Sequence, residues 1–151
     1  MAAGASATLT GLVFVAVSID LKHIVSVTGL PGRAAESMFQ FLQVFFASMF
    51  ALVPRQSATT LAVELLAVGG VSWAAQVAGQ VRYALHRAGH PLSWLVSRVA
   101  LSQLATLPFC IGGVELLVGS PNAMSWLLTG FIFSFAAGVM SAWVLLVEIH
   151  R

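Results

Sequence analysis

The ionisable residues set within apolar sequence are the ones able to do chemistry here: Asp20, His23, Glu64, Arg98 and Glu115. Asp20 and His23 are three residues apart and share one face of a helix. An ionised group at the bilayer centre costs about 2.5–3.5 kcal/mol on insertion scales, so such groups turn inward and pair. Asp20 and Arg98 fall at similar depth on the same side of the helix arrangement derived below, and an Asp20–Arg98 ion pair is expected. It either locks two helices together or forms part of an ion or proton path. Lys22 reads as a snorkelling side chain, its ammonium drawn to the interface. Glu64 and Glu115 match in depth on the opposite side. Side by side they would attract a proton or a cation; apart, each would reach out to the interface.

Uncharged polar residues recur at helical spacing around these charges. Glu36, Gln40 and Gln43 form one stripe. Ser72, Gln76 and Gly79 form a second, with Gln80 beside it. Arg98, Ser102 and Thr106 form a third, with Gln103 adjacent. Stripes of this kind act as interhelical glue; converging, they could instead line a hydrated cavity. Gly130, Ser134 and Gly138, four apart, make a small-residue face on which helix backbones approach closely, within the chain or between copies. Pro108 interrupts its stretch, and Thr106 is a local candidate to satisfy a carbonyl that the proline frees.

Other chemistries lack their residues. His86 and His90 are four apart, but Gly89 and Pro91 oppose a helix there and no acidic or cysteine ligand accompanies them, so no metal site is expected. No pair of histidines suits a haem, and no cofactor is expected. Cys110 is the single cysteine and has no intrachain partner. No phosphate-binding glycine loop or catalytic signature occurs, so the sequence does not read as an enzyme.

The elements that must position these residues follow from composition. Of 151 residues, 59% are hydrophobic and 8% charged, against about 25% charged in a soluble domain. Lipid is the expected solvent. A spanning helix needs about 20 residues. The expected architecture is all-α and polytopic: a single bundle of five transmembrane helices over about 7–27, 37–53, 60–81, 92–118 and 123–149. Gly29-Leu30-Pro31-Gly32 reads as the turn that ends the first span, and 33–36 as the loop after it. The runs are too long and too evenly apolar for barrel strands. No basic residue precedes the first apolar run, so that run reads as a retained helix rather than a cleaved signal. Lys22, Arg33, Arg82, Arg87 and Arg151 fall on one side and only Arg55 on the other, which predicts the N-terminus outside and the C-terminus inside. The net charge of +2 is scattered, without a basic run, and does not suit nucleic acid.

The stretches from Gly11 to His23 (GLVFVAVSIDLKH) and from Leu30 to Glu36 (LPGRAAE) resemble the opening of small uncharacterised multi-span bacterial integral membrane proteins. The resemblance covers the first third of the chain. It implies a bacterial inner (plasma) membrane location and carries no activity. The residues themselves suggest an oligomeric channel or transporter for a cation or proton, with Gln40, Gln43 and Gln76 along the path. The alternative is a structural or regulatory subunit of a larger membrane complex. Either way the partners expected are the lipid bilayer and other copies or other membrane proteins.

Overall fold

The computed structural model describes residues 1–19, 21–26, 30–85 and 92–149. These form α1 (Ala2–Ile19), α2 (Leu21–Ser26), α3 (Leu30–Ala51), α4 (Ala58–Leu85), α5 (Leu92–Val118) and α6 (Ala123–Ile149), with no strand among the described residues. Asp20, His86, Arg87, His90 and His150, and the side chain of His23, lie outside the described residues.

Helix ends follow local chemistry. The expected turn at Gly29–Gly32 is not where α3 begins: Leu30, Pro31 and Gly32 already form its first turn. A first-turn N–H has no intrahelical acceptor, so Pro31 loses nothing there, and its fixed φ suits the helix. Arg33 and Glu36 therefore belong to a helix rather than to a loop. The Ser57 hydroxyl accepts the Thr60 N–H at 3.1 Å and caps α4. After α5, Ser120 N–H donates to the Glu115 carbonyl at 2.9 Å and Gly119 N–H to that of Leu116 at 3.3 Å. This closure requires a left-handed residue at 119, and Gly119 has φ 75°.

Four of these helices, α1, α4, α5 from Val96, and α6 to Val147, are long and apolar enough to cross a membrane. The stretch expected as the second span is α3. Its 22 residues would reach about 33 Å, but Arg33, Glu36, Gln40 and Gln43 interrupt its apolar character. Packing explains why. α3, α4, α5 and α6 form a ring in which each touches the next, and α1 lies outside the ring against α3. Ten residues of α3 are buried, whereas α1 buries only Ser6 and Val13. A helix with neighbours on three sides needs less lipid-compatible surface, and Phe39, Phe46 and Met49 supply it on the side left open.

The large apolar side chains point the other way. Met124, Leu128, Ile132, Val139, Met140, Trp143 and Leu146 of α6 are exposed, as are Val63, Val71 and Val81 of α4. The inside holds Gln40, Gln43, Gln76, Gln80, Ser102, Thr106 and Ser134.

Glycines bring the backbones together. A Cβ on Gly138 would lie 2.5 Å from the Phe41 ring, and one on Gly130 2.9 Å from that of Phe109. The Gly130–Ser134–Gly138 face is thus occupied within the chain, by α3 and α5. Gly69 and Gly113 do the same between α4 and α5, against Cys110 and Leu66. Inserting a methyl where the neighbour is a buried ring costs about 1–3 kcal/mol. Gly138→Ala is expected to lower thermal stability in detergent by that amount. Gly11→Ala in α1, with nothing within 4 Å of the new methyl, is expected to stabilise by about 0.5–1 kcal/mol. Equal melting shifts for the two variants would contradict this packing.

Candidate functional site

Glu36, Gln40 and Gln43 recur every three or four residues, so a helix starting at Leu30 turns them to one side, and all three are buried. The same logic aligns Ser72, Gln76 and Gln80 on α4, and Arg98, Ser102 and Thr106 on α5. α3 and α5 run in the same direction on opposite sides of the ring, and α4 and α6 run against them. The stripes therefore meet in layers.

The outermost layer is ionic. Arg98 Nε donates to both oxygens of Glu36, at 2.9 and 2.8 Å, and each side chain is only 10% exposed. The guanidinium carbon lies 4.9 Å from the centre of the Tyr83 ring, in the range where a cation is attracted to a ring face. Arg98 Nη2 rests against Gly32, where a Cβ would sit 3.3 Å from it. Among the described residues the two Nη groups have no acceptor.

One turn deeper, Gln80 Nε2 donates to Ser102 Oγ at 2.6 Å. Below that lies a chain of hydrogen bonds through four helices. Gln76 Nε2 donates to Thr106 Oγ1 at 2.9 Å, Gln40 Nε2 to Gln76 Oε1 at 2.7 Å, and Gln43 Nε2 to Gln40 Oε1 at 2.7 Å. Gln43 Nε2 also donates to Ser134 Oγ at 2.7 Å and approaches the Ala105 carbonyl at 3.3 Å. Ser134 Oγ donates to that carbonyl at 3.1 Å. Gln43 Oε1 is buried without a donor among the described residues, so the chain is one donor short.

The polar layers stop at an apolar plug of Val44, Ala47, Leu65, Phe109 and Leu127. At the other end, a cavity of about 240 Å³ opens between α3, α5 and α6. Arg33, Glu36, Arg98, Ser97 and Ser141 supply its polar wall, and Leu101, Met140 and Val144 its apolar one. The arrangement is a one-sided polar pocket in an apolar bundle, with the Glu36–Arg98 ion pair in its wall.

The structure brings together Arg98, Gln40, Gln43, Gln76 and Ser134, the last as a link in the hydrogen-bonded chain as well as a packing residue. Asp20, the expected partner of Arg98, lies outside the described residues, as does the His23 side chain; among the described residues the carboxylate that engages Arg98 is Glu36. Glu64 accepts a hydrogen bond from Gln56, and no hydrogen bond joins it to Glu115, which is partly buried. Thr106 serves Gln76 rather than a carbonyl freed by Pro108, and α5 continues through that proline. Near the proline, the Ala105 carbonyl takes its side-chain donors from α3 and α6. The Trp73 indole donates to Gln103 at 2.8 Å on the outer surface. No group of three or more metal ligands occurs among the described residues. Sequence reasoning missed Glu36 as the Arg98 partner and Tyr83 beneath it. The signal for the first was in the stripes: Glu36 heads the 36/40/43 face as Arg98 heads the 98/102/106 face.

No protein-family model, curated protein or solved structure matches this chain.

Breaking a buried ion pair from one side costs about 3–5 kcal/mol, whereas replacing both partners by apolar groups is often neutral. Glu36→Leu alone is expected to destabilise by that amount in detergent unfolding. The double variant Glu36→Leu/Arg98→Met is expected to recover at least half of the loss. Additive losses would show that the two charges do not stabilise each other.

Proposed function

We propose that this protein is a multi-pass membrane protein that takes a small ionic species into the pocket at Glu36 and Arg98, in the manner of a carrier rather than an open channel. The apolar helices support the membrane setting. The observation that carries the rest is a partly open cavity walled by an ion pair, continuous with buried amides and stopped by an apolar plug. A pore would need polar lining throughout, and Phe109 with Leu65, Val44 and Leu127 interrupts it. In this reading α3 crosses the bilayer with the four more apolar helices, giving five crossings. The basic residues Arg33 and Arg82 mark the cytoplasmic side, and the resemblance of the first third of the chain favours a bacterial inner membrane.

In this reading the ion taken up is an anion, received by exchange at Arg98. An incoming anion can displace Glu36 as the counter-ion of Arg98, and Glu36 returns when the anion leaves. The expectation of a cation or proton drew on Asp20, Arg98, Glu64 and Glu115 together with the glutamine and serine stripes, and among the described residues no hydrogen bond joins Glu64 to Glu115.

A second reading, an accessory subunit of a larger membrane complex, is favoured by one feature. A groove of about 390 Å³ between α3 and α4, lined by Phe39, Phe46 and Phe50, offers a ring-rich surface to another helix. It predicts co-purification of a larger partner after mild extraction.

The deciding experiment is anion efflux from proteoliposomes. The wild-type protein is expected to accelerate efflux of chloride or phosphate. Arg98→Gln, which loses charge-assisted hydrogen bonds worth about 1.5–3 kcal/mol, is expected to slow it about tenfold or more. Phe109→Ala, which thins the plug, is expected to add a leak. Absence of chloride, phosphate and proton movement under every gradient and voltage tested would end the carrier reading.

A further inference from the structure

The groove between α3 and α4 lies apart from the ion pocket and opens on the outer surface of the bundle. Its volume of about 390 Å³ falls within the range of small-ligand sites, about 300–1,000 Å³. The walls are mostly apolar: Phe39, Phe46, Phe50, Val68 and Val71. Phe46 and Phe50 stack with ring centres 6.4 Å apart. Glu64 stands at one end of the groove, and Gln43 and Ser72 at the other. Glu64 and Ser72 are eight residues apart on α4, about 12 Å along the helix. The Gln40–Gln76 hydrogen bond sets the register of the two antiparallel helices and brings Phe50 to within a turn of Glu64.

The polar atoms left open here are acceptors. Glu64 receives the Gln56 amide, and among the described residues no basic side chain pairs with it. Arg55, the one cation in the connection from α3 to α4, is exposed and forms no ion pair among the described residues. Gln56 Oε1, on the amide that binds Glu64, is buried without a donor. So is Gln43 Oε1, while its Nε2 is directed to Gln40, Ser134 and the Ala105 carbonyl. A carboxylate and two amide oxygens therefore border an apolar groove that supplies them with no cation.

That pattern selects among occupants. A hydrocarbon tail, or an uncharged helix face, would leave the three groups unmatched at a cost. A fatty acid or a phospholipid would bring an anion against Glu64. An organic cation with N–H groups supplies the missing donors, and the ring faces of Phe46 and Phe50 attract its charge. We infer that this groove binds an elongated organic amine as its ammonium ion. The nitrogen sits at Glu64 and Gln56, the apolar body lies along Phe46 and Val68, and a second N–H or O–H meets Gln43 Oε1. This site goes beyond the ion pocket at Glu36 and Arg98 and does not depend on it.

The test titrates the full chain in neutral detergent with dansylcadaverine, a primary ammonium joined by an alkyl chain to a sulfonamide N–H and a fluorescent ring. Binding is read as a blue shift beyond that in empty micelles. The expected affinity is about tenfold or more above that of the neutral analogue with a methyl group in place of the ammonium. Glu64→Gln, which keeps an oxygen for Gln56, is expected to abolish that difference. Ala67→Phe, which fills the groove from an exposed position on α4, is expected to abolish binding of both compounds. Methylation of the sulfonamide nitrogen is expected to weaken binding severalfold, and no change overturns the contact at Gln43. Helix content and melting are checked first, and either protein variant suffices if the other fails to fold. Equal affinity of the ammonium and its neutral analogue overturns the inference, as does wild-type behaviour in a folded variant. Displacement of the fluorescent amine by phosphatidylethanolamine but not by octylamine overturns it in favour of a lipid headgroup. A wild-type dimer or complex that Ala67→Phe converts to a monomer overturns it in favour of a docked helix.

Discussion

In a hydrocarbon solvent, apolar contact does not tell a helix whether its neighbour is protein or lipid, because both are equally oily. What selects one packing over others is the need to satisfy polar groups. Here that constraint is concentrated in the Gln43 side chain. Its amide nitrogen reaches Gln40 on its own helix, Ser134 on α6 and the Ala105 carbonyl on α5, and through Gln40 it reaches Gln76 on α4. Rotating any of the four helices would remove a buried donor or acceptor from its partner, at about 1–3 kcal/mol for each group left unpaired. The ring of α3 to α6 is therefore held in rotation by amides and in distance by glycines. Gly138 under Phe41 and Gly130 under Phe109 let α6 come close enough for the Ser134 hydroxyl to reach Gln43.

The periodic signals in the sequence carried the interior well. The 36/40/43, 72/76 and 98/102/106 stripes are the inward faces, and the 130/134/138 stripe is the close-packed face of α6. Two kinds of information were not legible. The pairing of Glu36 with Arg98 was one, because the depth of Glu36 depended on where α3 begins. Pro31-Gly32 looked like a turn, whereas a proline in a first helical turn is compatible with its start, and that difference of seven residues moves Glu36 from a loop into the bundle. Whether the small-residue face of α6 meets its own chain or another was the second. Spacing is the same in both cases; only the large rings placed opposite, Phe41 and Phe109, decide it.

The distribution of polarity along the bundle is uneven, and that has its own physical logic. Beyond the amide chain, the interior is filled by Val44, Ala47, Leu65, Phe109 and Leu127, with Phe131 tilted against Phe109 at 5.6 Å between ring centres. Ion pair, amides and hydrocarbon follow one another from the open end inward. Polar groups near the open end can exchange hydrogen bonds with water or headgroups, whereas those at the deepest polar layer depend on one another. Pro108 sits at the boundary between the amide layer and the plug. Lacking an N–H for the Leu104 carbonyl, it loosens α5 where a neighbouring carbonyl takes donors from α3 and α6.

The ion pair is the part of this interior that the packing needs least. Taking two charges out of water is costly, and their attraction repays that cost only when geometry and further hydrogen bonds are good. Gln40–Gln76 already joins α3 to α4, Gln80–Ser102 joins α4 to α5, and Gln43 joins α3 to both α5 and α6. A neutral pair would hold α3 to α5 as well as Glu36 and Arg98 do. What a neutral pair lacks is the ability to exchange one partner for a charged ligand. Arg98 keeps its Nη edge turned from Glu36, shares a wall with a second guanidinium, and stands over a cavity that opens to one side of the bundle. That placement, one-tenth exposed at the wall of an open cavity, is what supports the proposed exchange of Glu36 for a bound ion.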